Sequence, residues 1–288
     1  MNQIKYPKFI DFRITAACPY NCKYCFGPKS ISDLSLSDVE TIILKFKTLN
    51  CQQIVLTGGE PLLRPDIDKI IKFIYSLGIK ISISTTGKGF LKHANIINDC
   101  VSHIGLPIDY EKNHLSYRDE AATKKVLEIL EYYKLRSNKP IIKIGTVCTK
   151  DNVKKLKEIG NFIAGYCESI DIWKIYQFLP IGKNATLNRK KLEISSEEFR
   201  GATKELEKLF ENYFHVVLAP RHKMANAHFL INPNGDVFLA HDDGIDCRED
   251  FIGNLLNYDW EEIFKKWAEK VSETNYLSNV QKTFGFDL

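Results

Sequence analysis

The chain has 288 residues, 44% hydrophobic and 26% charged, the balance of a globular protein that can build one barrel-sized domain or a large domain with a small one. Its formal net charge of +4 is spread without any Lys/Arg block, which gives no footing for polymeric nucleic acid as a partner. No apolar run of about 18 residues and no leader-like stretch behind Met1 occur, so no membrane span or secretion is expected, and the eight cysteines are read as metal ligands or buried thiols of a reducing cytoplasmic setting.

Strands and helices alternate from the start. Phe9–Thr15 is a β-prone run leading straight into Cys18-Pro19-Tyr20-Asn21-Cys22-Lys23-Tyr24-Cys25. Ser37 or Asp38 is expected to cap a helix whose apolar residues Val39, Ile42, Ile43, Phe46 and Leu49 recur at helical spacing. Strand Gln53–Thr57 ends in Gly58-Gly59-Glu60-Pro61, and a helix from about Asp66 to Leu77 stops at Gly78. Strand Lys80–Ser84 ends in Thr85-Thr86-Gly87, and a short helix near His93–Asn98 leads to strand His103–Pro107, then Ile108-Asp109. A helix from about Glu120 to Lys134, strand Ile141–Val147, a helix capped by Asp151 or Asn152 and strand Ile170–Phe178 complete six strand–helix units.

Such alternation gives an α/β fold with parallel strands and right-handed crossovers, here a partial (β/α)6 TIM-like barrel over residues 1–182. Residues 183–288 change pattern and form a small C-terminal α+β extension that closes the barrel. It opens on a loop, Ile181–Arg189, followed by a helix capped at Ser195-Ser196-Glu197-Glu198 and running to about Tyr213. Short strands follow near Val216–Leu218, Ala227–Ile231 and Val237–Ala240, with a hairpin turn at Asn232-Pro233-Asn234-Gly235 and a last helix from Asp259 or Trp260 to about Val271.

Three thiols at spacing C-x3-C-x2-C are a metal-ligand pattern. Half of a structural zinc site would require a second pair of ligands, but no second C-x2-C exists and His93 and His103 stand alone. Three thiolates can hold three irons of a cubane and leave the fourth iron open for chemistry. In a βα barrel, functional residues sit on the loops after strand C-terminal ends. The cysteines, Gly58-Gly59-Glu60, Thr85-Thr86-Gly87, Asp109 and Gln177 all fall there.

The cysteine spacing, the aromatic Tyr24 before the third cysteine and the Gly-Gly-Glu turn together resemble the radical S-adenosylmethionine (radical SAM) superfamily. The resemblance implies a [4Fe–4S] cluster on Cys18, Cys22 and Cys25. It also implies S-adenosylmethionine bound by Tyr24 near the adenine, Gly58 and Gly59 at the methionine ammonium, and Glu60 orienting that turn. Thr85 and Asp109 would lie on the ribose side, and Gln177 and Leu179 along the adenine edge. One electron, from a donor such as flavodoxin or ferredoxin, would start reductive cleavage to a 5′-deoxyadenosyl radical that takes hydrogen from substrate.

The second half resembles viperin-like nucleotide-modifying members of that superfamily, most sharply over Ile172–Phe199. That likeness implies phosphate contacts by Lys143 and Lys174, with Arg118 near them, and so a small anionic, nucleotide-like substrate. A lysine inside an apolar strand is costly to bury unpaired, which also points to an anion. Where the viperin-like pattern has Asn and a catalytic Tyr, this chain has Gly145 and His228; His228 can donate a hydrogen bond or a proton, and with Lys174 it is the expected catalytic group. Two alternatives stay open: a peptide- or protein-modifying radical SAM enzyme, and an iron–sulfur electron carrier or sensor without turnover. Only Cys247 lies beyond Pro180, so auxiliary clusters are not expected, and Cys51, Cys100, Cys148 and Cys167 read as buried thiols.

Overall fold

A computed structural model of the chain describes residues 4–110, 120–244 and 246–284. Seven parallel strands follow one another in register: β1 (Phe9–Thr15), β2 (Gln53–Gly58), β3 (Lys80–Ser84), β4 (His103–Pro107), β5 (Ile141–Cys148), β6 (Ile172–Gln177) and β7 (His215–Ala219). The remaining strands, β8 (Leu230–Ile231), β9 (Asp236–Asp242) and β10 (Cys247–Asn254), continue the same sheet from the other edge, where β8 lies parallel to β1. The order is β10-β9-β8-β1-β2-β3-β4-β5-β6-β7. The last third of the chain therefore adds strands to both edges of the sheet.

Helices α1 (Leu36–Thr48), α2 (Ile67–Ser76), α3 (Phe90–Cys100), α4 (Glu120–Tyr133) and α5 (Leu156–Ala164) connect the first six strands. Their apolar stripes meet one face of each strand. Ile10, Phe12 and Ile14 of β1, Ile142 and Ile144 of β5, and Trp173 and Ile175 of β6 share one buried cluster with Ile42 and Ile43 of α1 and Ile70, Ile71 and Ile74 of α2. Each such fully buried side chain contributes about 1.5–3 kcal/mol of burial. Because side chains alternate along a strand, the residues between them point the other way, into the barrel. That inward set includes polar residues: Asp11, Arg13 and Thr15 on β1, Ser82 and Ser84 on β3, Lys143 on β5, Lys174 and Tyr176 on β6.

Several boundaries differ from expectation. Ser35, not Ser37 or Asp38, caps α1, its hydroxyl accepting from the Asp38 amide. Neither Asp151 nor Asn152 caps α5; a 3₁₀ turn, Val153–Lys155, intervenes. The Asn152 side chain instead accepts from the Thr149 amide at 2.8 Å and donates to the Asp109 and Val147 carbonyls. The helix expected near His93–Asn98 spans Phe90–Cys100. The stretch expected as a loop from Ile181 carries α6 (Lys183–Leu187) and α7 (Arg189–Leu192), while the long helix after Ser195 is two pieces, α8 (Ser196–Thr203) and α9 (Leu206–Phe210). A short helix α10 (Arg221–Met224), strand β10 and helix α12 (Glu273–Phe284), which follows α11 (Trp260–Lys270), have no counterpart in the sequence reading. Cys51 and Cys148 are buried as expected, whereas Cys100 and Cys167 are only partly covered.

Candidate active site

The loop after β1 and the turn after β2 are built against each other. The Gly59 amide donates to the Thr15 carbonyl at 2.7 Å, and the Glu60 amide to the Ala17 carbonyl at 2.8 Å. This approach requires glycine. Gly58 sits at φ +140°, and a Cβ there would lie 2.4 Å from the Thr15 carbonyl; a Cβ on Gly59 would lie 2.2 Å from the Ala17 carbonyl. The Gly-Gly pair is thus what seats the turn on the cysteine loop.

Glu60 is fully buried and joins this turn to the loop after β3. One carboxylate oxygen accepts from the Thr85 hydroxyl at 2.5 Å and the Leu62 amide at 3.2 Å; the other accepts from the Thr86 amide at 2.7 Å and the Thr86 hydroxyl. Burial pushes the Glu60 carboxyl above its ordinary range, against the pull of these donors. Thr85 also accepts from the Gly87 amide at 2.9 Å. Glu60 and Thr85, both expected at the cofactor, are therefore brought together in one buried network.

Tyr24 and Asp109 also meet. The Tyr24 hydroxyl donates to one oxygen of Asp109, whose other oxygen accepts from the Val147 amide at 2.8 Å. Both residues are buried. The cysteine loop is thereby pinned to the ends of β4 and β5. Tyr24 and Cys22 pack with Phe178, Ala185 and Leu192, with Cys25 against their edge. None of the three loop cysteines is in a disulfide. Desolvation raises the Cys18 thiol, and the charges of Glu60 and Cys25 raise it further. Among the described residues, no three Cys, His, Asp or Glu side chains are gathered as a closed ion site.

At the end of β6 the Gln177 side chain is buried, donating to the Ile194 carbonyl at 3.2 Å and accepting from the Arg221 amide at 3.0 Å. It holds α10 and the start of α8 to the barrel. Leu179 packs beside Ile181, Leu230 and Ala240, and its carbonyl accepts from the Ile181 amide at 2.9 Å. A cleft of about 690 Å³ lies beyond Gln177, and four of its charged residues pair among themselves: Arg221 with Glu193 at 2.6 Å and Asp242 at 2.5 Å, Arg189 with Glu193 at 2.8 Å.

Lys143, Lys174 and His228 all face the barrel interior. Lys174 is buried with its ammonium 5.1 Å from the Tyr176 ring centre. Burial lowers its pKa, the neighbouring Lys143 charge adding to that and Tyr176 and Asp11 opposing it. The Tyr176 phenol is pulled below its ordinary value: burial resists, but the charges of Lys143 and Lys174 and a hydrogen bond with Lys143 prevail. Gly145 leaves the room that Tyr176 fills, since a Cβ there would lie 3.2 Å from the ring. His103, pushed down to about 4 by burial and by the Lys143 and Lys80 charges, stays neutral. His228 Nδ1 lies 2.8 Å from the Asp11 carboxylate. Arg13, behind Asp11 on β1, is buried, bonds Asn232 at 2.7 Å and Glu249 at 2.9 Å, and stacks on Phe26 of the cysteine loop at 4.7 Å.

Asp11, Arg13 and Tyr176 went unassigned in the sequence. The available signal was the same one that singled out the lysines: charged or polar residues alternating with apolar ones on strands of a mostly parallel sheet. Arg118 lies outside the described residues. No helix among the described residues is long and apolar enough to cross a membrane.

Comparison with known proteins agrees with this geometry. A family model described as the radical SAM superfamily matches residues 12–163. An S-adenosylmethionine-dependent nucleotide dehydratase of Selenomonas ruminantium is 26% identical over 286 residues, covering 93% of this chain and 97% of that protein. An AdoMet-dependent heme synthase of Oleidesulfovibrio alaskensis is 25% identical over 205 residues, 67% of this chain and 50% of that protein. Among solved structures, Streptococcus suis SuiB bound to S-adenosylmethionine superposes with a TM-score of 0.69 at 15% identity, covering 97% of this chain and 68% of that one. The α/β sheet is accordingly the partial TIM barrel of such enzymes. Superfamily members use S-adenosylmethionine and an iron–sulfur cluster, and this chain belongs to the radical SAM superfamily.

Proposed function

We propose that this radical SAM enzyme acts on a small anionic, nucleotide-like substrate held inside the barrel by Lys143 and Lys174. The observation that carries this reading is the pair of inward lysines flanking Tyr176, one of them buried. Asp11, which also engages His228, and Tyr176 act on these lysines, while Arg13 is matched by Glu249. Two lysines on neighbouring strands concentrate positive charge beside Tyr176, a setting that favours an anionic ligand. A phosphate is such a ligand.

The donor set fits a [4Fe–4S] cluster: Cys18, Cys22 and Cys25 lie on one loop outside any disulfide, enough thiols for three irons. Those thiols would hold the cluster, which together with bound S-adenosylmethionine would supply one-electron reductive cleavage chemistry at this loop. Around it, this chain's own residues position. The Gly58-Gly59 turn lies against the loop, Glu60 and Thr85 lock that turn, and Tyr24 with Asp109 anchors the loop to the barrel. The relatedness to a nucleotide dehydratase over nearly the full length of both chains supports the same substrate class. The electron donor is read as a flavodoxin- or ferredoxin-type protein and the compartment as cytoplasmic.

The test is an anaerobic screen. The chain reconstituted with iron and sulfide is mixed with dithionite, S-adenosylmethionine and each nucleoside mono-, di- and triphosphate. The expected result is 5′-deoxyadenosine formation that rises at least tenfold with one nucleotide class. A flat response across all of them, with activity appearing only on peptides, would replace this reading with a peptide modifier.

A further inference from the structure

We infer that Asp11 and His228 form a proton-transfer dyad in the barrel, with Asp11 positioning the imidazole so that its Nε2 delivers a proton to a leaving hydroxyl of the substrate. The inference rests on the anionic-substrate reading above for what is protonated, but the dyad itself stands on geometry.

Asp11 projects inward from the middle of β1, and His228 from the residue before Phe229, whose carbonyl accepts the Asp11 amide at 3.0 Å. Asp11 lies on β1 and His228 two residues before β8, the strand that pairs with β1 in parallel; 217 residues apart in sequence, the two side chains meet at 2.8 Å. Burial would raise the Asp11 carboxyl, yet the hydrogen bond and charge of His228, then Lys143 and Arg13, hold it below its ordinary range. An ionised carboxylate only accepts, so His228 must donate from Nδ1. The other ring nitrogen, Nε2, is thereby fixed as the reactive one, as in any carboxylate-oriented imidazole. Both side chains remain partly open, 34% for His228 and 25% for Asp11. The backbone of His228 is held from behind by the Trp267 indole, which donates to its carbonyl at 3.2 Å.

The charged and titratable groups around the pair are Arg13 on the same strand, Lys143 from β5, and Lys174 and Tyr176 from β6. The lysine end offers an anion site and the dyad end a proton, so the two ends of a phosphorylated, hydroxylated substrate find different chemistry. With His228 carrying a second proton at Nε2, taken up from solvent before the substrate enters, a carbon radical formed beside a hydroxyl-bearing carbon loses that hydroxyl: the C–O bond breaks as the Nε2 proton of the imidazolium passes to the oxygen. Water leaves with the bonding electron pair and the ring becomes neutral. The organic radical cation left behind takes one electron from a low-potential one-electron donor of the flavodoxin or ferredoxin class to give the unsaturated product.

The experiment compares the full-length chain with Asp11→Asn and His228→Gln. Asp11→Asn should lower kcat with the responsive nucleotide by 10²- to 10⁴-fold, the span of general acid–base contributions, while KM and iron content stay within threefold. The double variant should be no slower than the worse single one, because the two residues act as a unit. In ¹⁵N-histidine NMR, the His228 resonance, assigned by its loss in His228→Gln, should report a protonated Nδ1 in the native chain, with Nε2 taking up the second proton on acidification, and a changed Nδ1 occupancy in Asp11→Asn. A resonance showing Nδ1 unprotonated in the native chain, or Asp11→Asn turnover within threefold of native, would overturn the inference. The NMR readout needs no substrate, so it decides the dyad even where the nucleotide screen fails.

Discussion

Lys174 is the residue on which the substrate reading turns. It lies on an apolar strand between Trp173 and Ile175, both fully buried, and that placement was legible because a lysine among buried neighbours demands an anion. Tyr176 was not legible in the same way, since a tyrosine on a strand is ordinary; only the space at Gly145 and the flanking lysines give it a role. Asp109 was read as a ribose contact; its carboxylate also accepts from Tyr24, 85 residues away, and from the Val147 amide, pairings that no local pattern reveals. Replacing Lys174 with Met keeps the stem and removes the charge. The dissociation constant of the responsive nucleotide should rise about 10- to 100-fold, the loss of one or two charge-assisted bonds, with iron content unchanged. Loss of the cluster instead would make Lys174 structural. Glu60→Gln leaves a buried amide facing hydroxyl and amide donors, and should cost about 1–3 kcal/mol in urea unfolding.

At the scale of elements, the first six strands and their crossover helices were readable because apolar runs and helical stripes alternate cleanly. Strand β10 was not, because Arg248, Glu249 and Asp250 interrupt any apolar pattern. An edge strand tolerates such charges, and here they pair, Arg248 with Asp250 at 2.7 Å and Lys270 with Asp250 at 2.8 Å. Helices α6 and α7 span five and four residues, too short for a periodic signal. The Ser195 cap was legible and forms a complete capping box with Glu198. Ser195→Ala should therefore destabilise the chain by about 1 kcal/mol, read as a lower urea midpoint at unchanged slope.

The same elements set a pH dependence. Burial pushes the Glu193 and Asp250 carboxyls up, but hydrogen bonds and charges from Arg189 and Arg221, and from Lys270 and Arg248, bring both below the ordinary range. A carboxyl lowered by folding adds stability that is fully present above its unfolded pKa of about 4 and is lost as pH falls through its folded value. Thermal midpoints should accordingly drop on acidification below that range. The penalty of Glu193→Gln should be largest near pH 7 and shrink towards pH 3; an equal penalty at both would show that the ion pairs with Arg189 and Arg221 are not its source.

Across the whole molecule, the sheet brings together what the chain keeps apart. The cysteine loop, the Gly-Gly-Glu turn and the Thr85 loop sit side by side because β1, β2 and β3 are sequential parallel neighbours, an order that βα alternation made readable. The partnership of β8 with β1 was not readable, since it joins residues more than 200 positions apart through a two-residue strand, and it is this pairing that sets His228 against Asp11. Replacing any one of Cys18, Cys22 or Cys25 with Ala should abolish iron–sulfur absorbance and turnover, while Cys51→Ala, a thiol buried far along the helix-side core and pushed up to about 12, should retain both. The most direct test is isotopic. With the responsive nucleotide carrying deuterium throughout its sugar, the reconstituted enzyme should transfer one deuterium into 5′-deoxyadenosine; 5′-deoxyadenosine that forms at the same rate yet carries only protium would contradict hydrogen abstraction from a nucleotide in this barrel.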